Sequence, residues 1–154
     1  MSGTDSDDDP LAEADHIGDY VASLIRNAVG RVARDVSRLK MSEADVSTCV
    51  SAQLREIGMR VEEQFPVVPV WVSEGGSTVA LHARRAHLAV WHPRRDKCVL
   101  VELKVRSGGI EERYRQQAAA YAAAHGSRCL LAVVQKTRTS PPAFEEFGDT
   151  SSEN

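Results

Sequence analysis

"RRAHLAVWHPRRDKCVLVELKV", residues 84–105, decides the reading of this chain. Two apolar runs flank a polar turn containing Pro93, which is the pattern of a β-hairpin. With Pro93–Asp96 as the turn, counting outward sets His92 opposite Lys97, His87 opposite Glu102 and Arg85 opposite Lys104. Side chains alternate along a strand, and directly opposed residues share a face. Arg85, His87, Glu102 and Lys104 therefore fall on one face. Ala86, Leu88, Val90, Val99, Val101, Leu103 and Val105 fall on the other and supply core. An acid, an amine and an imidazole on one face exceed what simple alternation requires.

Working outward, the chain is predicted to be helical from about Pro10. Ile17, Val21, Leu24, Ala28, Val32, Val36 and Leu39 recur at three or four residues, while Arg26, Arg31, Arg34 and Arg38 fall mostly off that stripe. A second helix is expected from Ser42, an N-cap, to Gly58, a stop, with Val46, Val50, Leu54 and Ile57 inward. "MRVEEQFPVVPVWV" reads as one strand, held at a sheet edge by Pro66 and Pro69. "SEGGS" is a turn, "TVALHARRAHLAVWH" the first hairpin strand, "IEERYRQQAAAYAAAHG" a helix and "RCLLAVVQK" a buried strand. Three segments follow: an acidic N-terminus over 1–10, a domain over 11–136 and a loose acidic tail over 137–154. The expected fold class is an α/β sandwich with a mixed sheet of about four strands flanked by helices.

Apolar and charged fractions of 42% and 27% are those of a soluble domain with a full core. No apolar run is long enough to span a membrane, and the acidic start is no secretory signal, so an intracellular protein, cytoplasmic or nuclear, is expected. Cys49, Cys98 and Cys129 share no metal-binding spacing and read as reduced core thiols. Residues 16–136 hold 18 basic and 12 acidic side chains, against a whole-chain charge of -3. A basic core with acidic ends fits a nucleic-acid partner about as well as it fits tails that simply keep the domain soluble, and the partner expected is DNA in preference to RNA. Arg84, Arg85, Arg94, Arg95, Lys97 and Arg106 around the hairpin are the candidate phosphate contacts. Trp71 and Trp91 read as packing residues. A homodimer is left open.

Glu102-Leu103-Lys104, with position 87 on the preceding strand and Gln117 and Tyr121 on the helix that follows, resembles the PD-(D/E)xK nuclease superfamily, the restriction-endonuclease-like fold. Within it, "SEADVSTCVSAQLREIGMRVEEQFPVVPV" is similar to the small GxxExxY proteins, and sets Glu43 at their helical glutamate. The likeness runs from about Val36 to Gln135. Its departures are specific. His87 stands where the superfamily carries an aspartate, Val46 replaces a tyrosine and Lys40 a leading glycine. Asp96 cannot substitute for the missing acid, since six residues of strand put it roughly 20 Å from Glu102.

The resemblance implies a catalytic set of Glu43, Glu102, Lys104, Gln117 and Tyr121. It implies a metal site at His87, Glu102 and the Leu103 carbonyl, with Mg²⁺ or Mn²⁺ as the cofactor of an active enzyme. The ion would polarise a scissile phosphate and acidify water, and Lys104 would stabilise developing charge. Histidine for aspartate removes a hard anionic oxygen that Mg²⁺ favours and offers nitrogen suited to Mn²⁺ or Zn²⁺. The expectation is a nucleic-acid-binding member whose hydrolytic site is altered or lost, with no cofactor in the latter case. An active Mn²⁺-type nuclease and a non-catalytic interaction module are the alternatives.

Overall fold

A computed structural model of the chain describes residues 10–67, 71–74, 77–80 and 85–148. Helix α1 (Pro10–Leu39) and helix α2 (Glu43–Glu56) lead into strand β1 (Arg60–Pro66). Strands β2 (Trp71–Glu74) and β3 (Ser77–Ala80) precede the hairpin of β4 (Arg85–Trp91) and β5 (Val99–Arg106). Helix α3 (Glu112–His125), β6 (Arg128–Gln135) and β7 (Ala143–Phe147) complete the order. The described residues form an α/β sandwich around a mixed sheet ordered β1-β4-β5-β6-β7, antiparallel except for the β5–β6 pair. The β2–β3 pair is a separate two-stranded sheet.

Alternation splits the core between two faces. Leu88, Val90, Val99, Val101, Leu103, Leu130 and Ala132 pack with α1 and α2 through Val21, Ile25, Val29, Val36, Val50 and Leu54. Leu100, Cys129, Leu131 and Val133 pack on the other face with Tyr114, Ala118, Tyr121 and Ala122 of α3. Ala86 belongs to this second cluster, not to the first as alternation from Leu88 implies. The strand has turned by that point, next to Gln64 of β1, which takes a left-handed φ of 53°.

Both N-terminal helices end in the same way. Met41 N–H reaches Val36 O at 3.0 Å across Lys40, and Met59 N–H reaches Leu54 O at 3.0 Å across Gly58. The intervening residue is left-handed in each case, with φ 53° at Lys40 and 96° at Gly58. These are Schellman ends, which normally use glycine because a side chain strains this conformation. The Ser42 N-cap is as expected: its hydroxyl accepts from Asp45 N–H at 3.1 Å and the Asp45 carboxylate accepts from Ser42 N–H at 2.9 Å. This capping box fixes where α2 begins, and so where Glu43 lies.

Several expectations are corrected. Leu39 and Ile57 are exposed, since each is the last residue before a left-handed turn and has left the inward stripe. Cys49 is exposed on α2, whereas Cys98 and Cys129 are buried. The two long strand readings around "SEGGS" are each broken, because Trp71–Glu74 and Ser77–Ala80 pair with each other. The 137–154 stretch contains β7, a fifth sheet strand. Its acids suggested a loose tail, but Glu145 is held by Arg115 and Glu146 by Arg26 and Arg128, while Phe144 and Phe147 pack on opposite faces. Of the acidic N-terminus, residues 1–9 lie outside the described residues. No described helix is long and apolar enough to cross a membrane.

Candidate functional site

The site forms where the sheet opens. Leu88↔Val101, Ala89↔Leu100 and Val90↔Val99 pair in the register the sequence predicts, and the ladder stops before His87 and Glu102. On the other edge, β1 pairs Glu63 with Leu88 and Phe65 with Ala86, skipping Gln64 and His87. Gln64 adopts φ 53°, a left-handed conformation that strains a side-chain-bearing residue. His87 is thus unladdered on both sides. Side chains take over the open edge of β5. Leu103 N–H lies 3.1 Å from His87 Nδ1, and Val105 N–H donates to Glu43 Oε2 at 3.1 Å. A strand residue's N–H and C=O project to one edge, so the Leu103 carbonyl shares this opening.

Five side chains alternate in charge across it. Arg106 pairs with Glu43, whose other oxygen is 3.6 Å from His87 Nε2. His87 Nδ1 is 3.3 Å from Glu102 Oε1, and Glu102 Oε2 is 3.2 Å from Lys104 Nζ. Glu102 is 2% exposed, a position a carboxylate tolerates only when paired. Burial opposes charge on His87, but the Glu102 and Glu43 carboxylates outweigh it and raise its pKa to about 9. Burial likewise raises Glu43, yet His87, the Val105 amide and Arg106 overcome it and bring the carboxyl down to about 2. Protonating Nδ1 deprives the Leu103 N–H of its acceptor, which works against the cation. The two carboxylates favour the imidazolium electrostatically, Glu102 at 3.3 Å from Nδ1 and Glu43 as an ion pair at 3.6 Å from Nε2, beyond hydrogen-bond range.

These residues do not fit a divalent ion as arranged. The carboxylates approach opposite nitrogens of one ring, so the imidazole stands between donors that would have to surround a single point at about 2.0–2.1 Å for Mg²⁺. All four carboxylate oxygens are engaged: Glu43 by His87, Val105 and Arg106, Glu102 by His87 and Lys104. With the ring charged, the five groups carry a net +1, which disfavours a second cation and favours an anion.

No family model matches the sequence. No curated protein matches it either. Among solved structures, the crystal structure of SSO0001 aligns with a TM-score of 0.44 and 14% identity over 81% of this chain. The alignment spans 66% of that protein, just under two thirds of its length.

Of the other anticipated residues, Gln117 Nε2 donates to Tyr121 OH at 3.0 Å, which ties the two together on α3. Arg106 pairs with Glu43 and stays partly exposed. Arg85 is exposed and reaches Gln64 O at 3.4 Å. Arg84 lies outside the described residues, as does the Trp71 side chain. Arg94, Arg95 and Lys97 occupy the β4–β5 turn at the opposite end of the hairpin, with seven residues of strand, roughly 23 Å, between Lys97 and Lys104. The anticipated basic cluster is therefore divided in two. Arg95 also packs against α1, where a Cβ on Gly18 would come within 2.8 Å of its guanidinium. Trp91 packs edge-on against Phe65 at 5.5 Å.

Tyr114 was missed. Its hydroxyl accepts from Arg106 Nε at 3.1 Å and donates to Glu111 at 3.2 Å, and Lys104 Nζ lies 5.4 Å from its ring centre. Helical spacing held the signal, since 114, 117, 118 and 121 share one face of α3.

Proposed function

We propose that this chain is a nuclease-superfamily protein that binds nucleic acid, with a hydrolytic site altered so that the His87 imidazolium occupies the place between the carboxylates. The observation that carries this reading is the ring itself, contacting Glu102 through one nitrogen and Glu43 through the other. Three further features support the superfamily assignment. A helix, an antiparallel β1-β4-β5 run, a helix and a parallel strand follow in the order the resemblance implies. Glu43 of α2 is brought to the Glu102–Lys104 pair of β5 through His87, which contacts both carboxylates. Lys40, where a glycine was anticipated, has the left-handed φ that glycine favours.

In this reading Lys104, Arg106 and His87 present positive charge to a phosphate, and the two carboxylates hold those cations in place rather than a metal. The buried reduced thiols Cys98 and Cys129 support an intracellular setting. The test is cleavage of single- and double-stranded substrates with Mg²⁺ and with Mn²⁺, comparing wild type, His87→Asp and Lys104→Ala. The expected result is no metal-dependent cutting by wild type and cutting gained by His87→Asp. Cutting by wild type that disappears in Lys104→Ala would instead establish an active Mn²⁺-type nuclease.

A further inference from the structure

A groove of about 570 Å³ lies between α1 and residues 139–142, the segment joining β6 to β7. Arg26, Arg31 and Arg34 line it from the helix, Thr139 and Ser140 add hydroxyls from the other wall, and no acid lines it. Arg26 is held by Glu146. Arg31 and Arg34 are exposed and pair with no acid among the described residues, so they give the groove two uncompensated positive charges.

Gly30 forms part of the floor. A glycine inside a helix costs about 1 kcal/mol relative to alanine, a cost usually explained by close packing. Here packing explains nothing: a Cβ at Gly30 would meet no atom within 4 Å. The missing side chain keeps the groove open. The lining holds no aromatic ring on which a base could stack: beside the arginines stand small polar groups, Ala33, Pro141 and Pro142.

We infer that this groove is a binding site for the phosphodiester backbone of a single nucleic-acid strand, gripped by Arg31 and Arg34 without reading sequence. The inference rests on the nucleic-acid reading above and locates the partner away from the β4–β5 turn. Arg31 and Arg34, three residues apart on α1, offer two neighbouring phosphate contacts along one wall. Arginine forks suit phosphate oxygens, and each phosphate neutralised on a single strand adds about 0.7 to the slope of log affinity against log salt.

The test is binding of a fluorescein-labelled twelve-nucleotide strand across a salt series. The proteins are wild type, Arg31→Ala/Arg34→Ala, Gly30→Leu and the control Arg60→Ala/Arg113→Ala, which removes two exposed positive charges elsewhere, with melting curves confirming folding. The expected result is at least tenfold weaker binding for the double arginine variant, with its salt slope reduced by about 1.4. Gly30→Leu, which fills the groove and leaves its charge intact, weakens binding as well, and the control matches wild type. Unchanged affinity in the arginine variant, with wild type still binding, would overturn the groove and leave the nucleic-acid reading standing. A wild type that binds no strand even at low salt overturns both. A mononucleotide that binds as tightly as the twelve-mer overturns the backbone as the ligand.

Discussion

His87 Nε2 lies 3.6 Å from Glu43 Oε1, and this contact ties the first turn of α2 to the open end of the β4–β5 hairpin. It joins residues 44 positions apart in sequence and completes a row of charges that would be costly to bury singly. Both partners keep some solvent contact, so the heavier cost of losing His87 falls on Glu102, which is buried and would lose a pairing partner.

The row makes stability depend on pH. His87 has a folded pKa of about 9 against 6.5 for a free imidazole, so its contribution is full below pH 6.5 and is lost as pH rises through 9. A shift of that size corresponds to about 3 kcal/mol. Urea unfolding of wild type should weaken by that order between pH 6.5 and 9.5, and His87→Gln should show a much flatter profile. Parallel profiles for the two proteins would count against a charged His87.

Glu43 acts at the other end of the scale. Its carboxyl is lowered from 4.5 to about 2, so its contribution is full above pH 4.5 and fades as pH falls towards 2. Glu43→Gln should therefore be less stable than wild type at pH 7, with the gap closing in acid. A gap that persists at pH 2 would assign the effect to packing instead.

Replacing His87 by aspartate gathers three carboxylates where two now flank a cation. The variant should melt below wild type in EDTA and recover on addition of Mn²⁺. Wild-type melting should be indifferent to both treatments. A wild type stabilised by Mn²⁺ would mean that the imidazole swings aside to admit the ion.

Lys40 and Gly58 occupy equivalent left-handed positions at two helix ends, one with a side chain and one without. That conformation costs an L-residue about 1–2 kcal/mol. Lys40→Gly should raise unfolding free energy by roughly 0.5–1 kcal/mol, and Gly58→Ala should lower it by about 1 kcal/mol. Chemical denaturation of both variants checks the pair.

Gly30→Ala should stabilise the fold, since the new methyl meets nothing and the helix loses one of its two glycines. A gain of about 1 kcal/mol corresponds to roughly 2–4 °C in Tm for a chain of this size. A lower Tm would show that the glycine has a packing role.

The sequence by itself determined the hairpin, its register and the helices. Alternation over 85–91 and 99–105 permits one pairing that buries Leu88, Val90, Val99 and Val101 together, and a one-residue slip would expose all four. Helix α2 was equally legible, because Ser42 and Gly58 are local signals acting over a single turn. Strand β7 was not. "AFEEF" carries two acids in five residues, and Arg26, Arg115 and Arg128, brought from three other elements, neutralise them while the strand pairs with β6. The apolar stripe did run to Leu39, where α1 ends, but Lys40 gives no local sign of the left-handed turn that ends it. The face shared by His87, Glu102 and Lys104 could be counted from the hairpin, but what those residues do to one another could not. That depended on the sheet parting at Gln64 and His87, on α2 delivering Glu43 into the gap, and on two carboxylates arriving at opposite sides of one ring. Periodicity fixes which way a side chain points. Its charge state and its partners are set by groups that are distant in sequence and near in space.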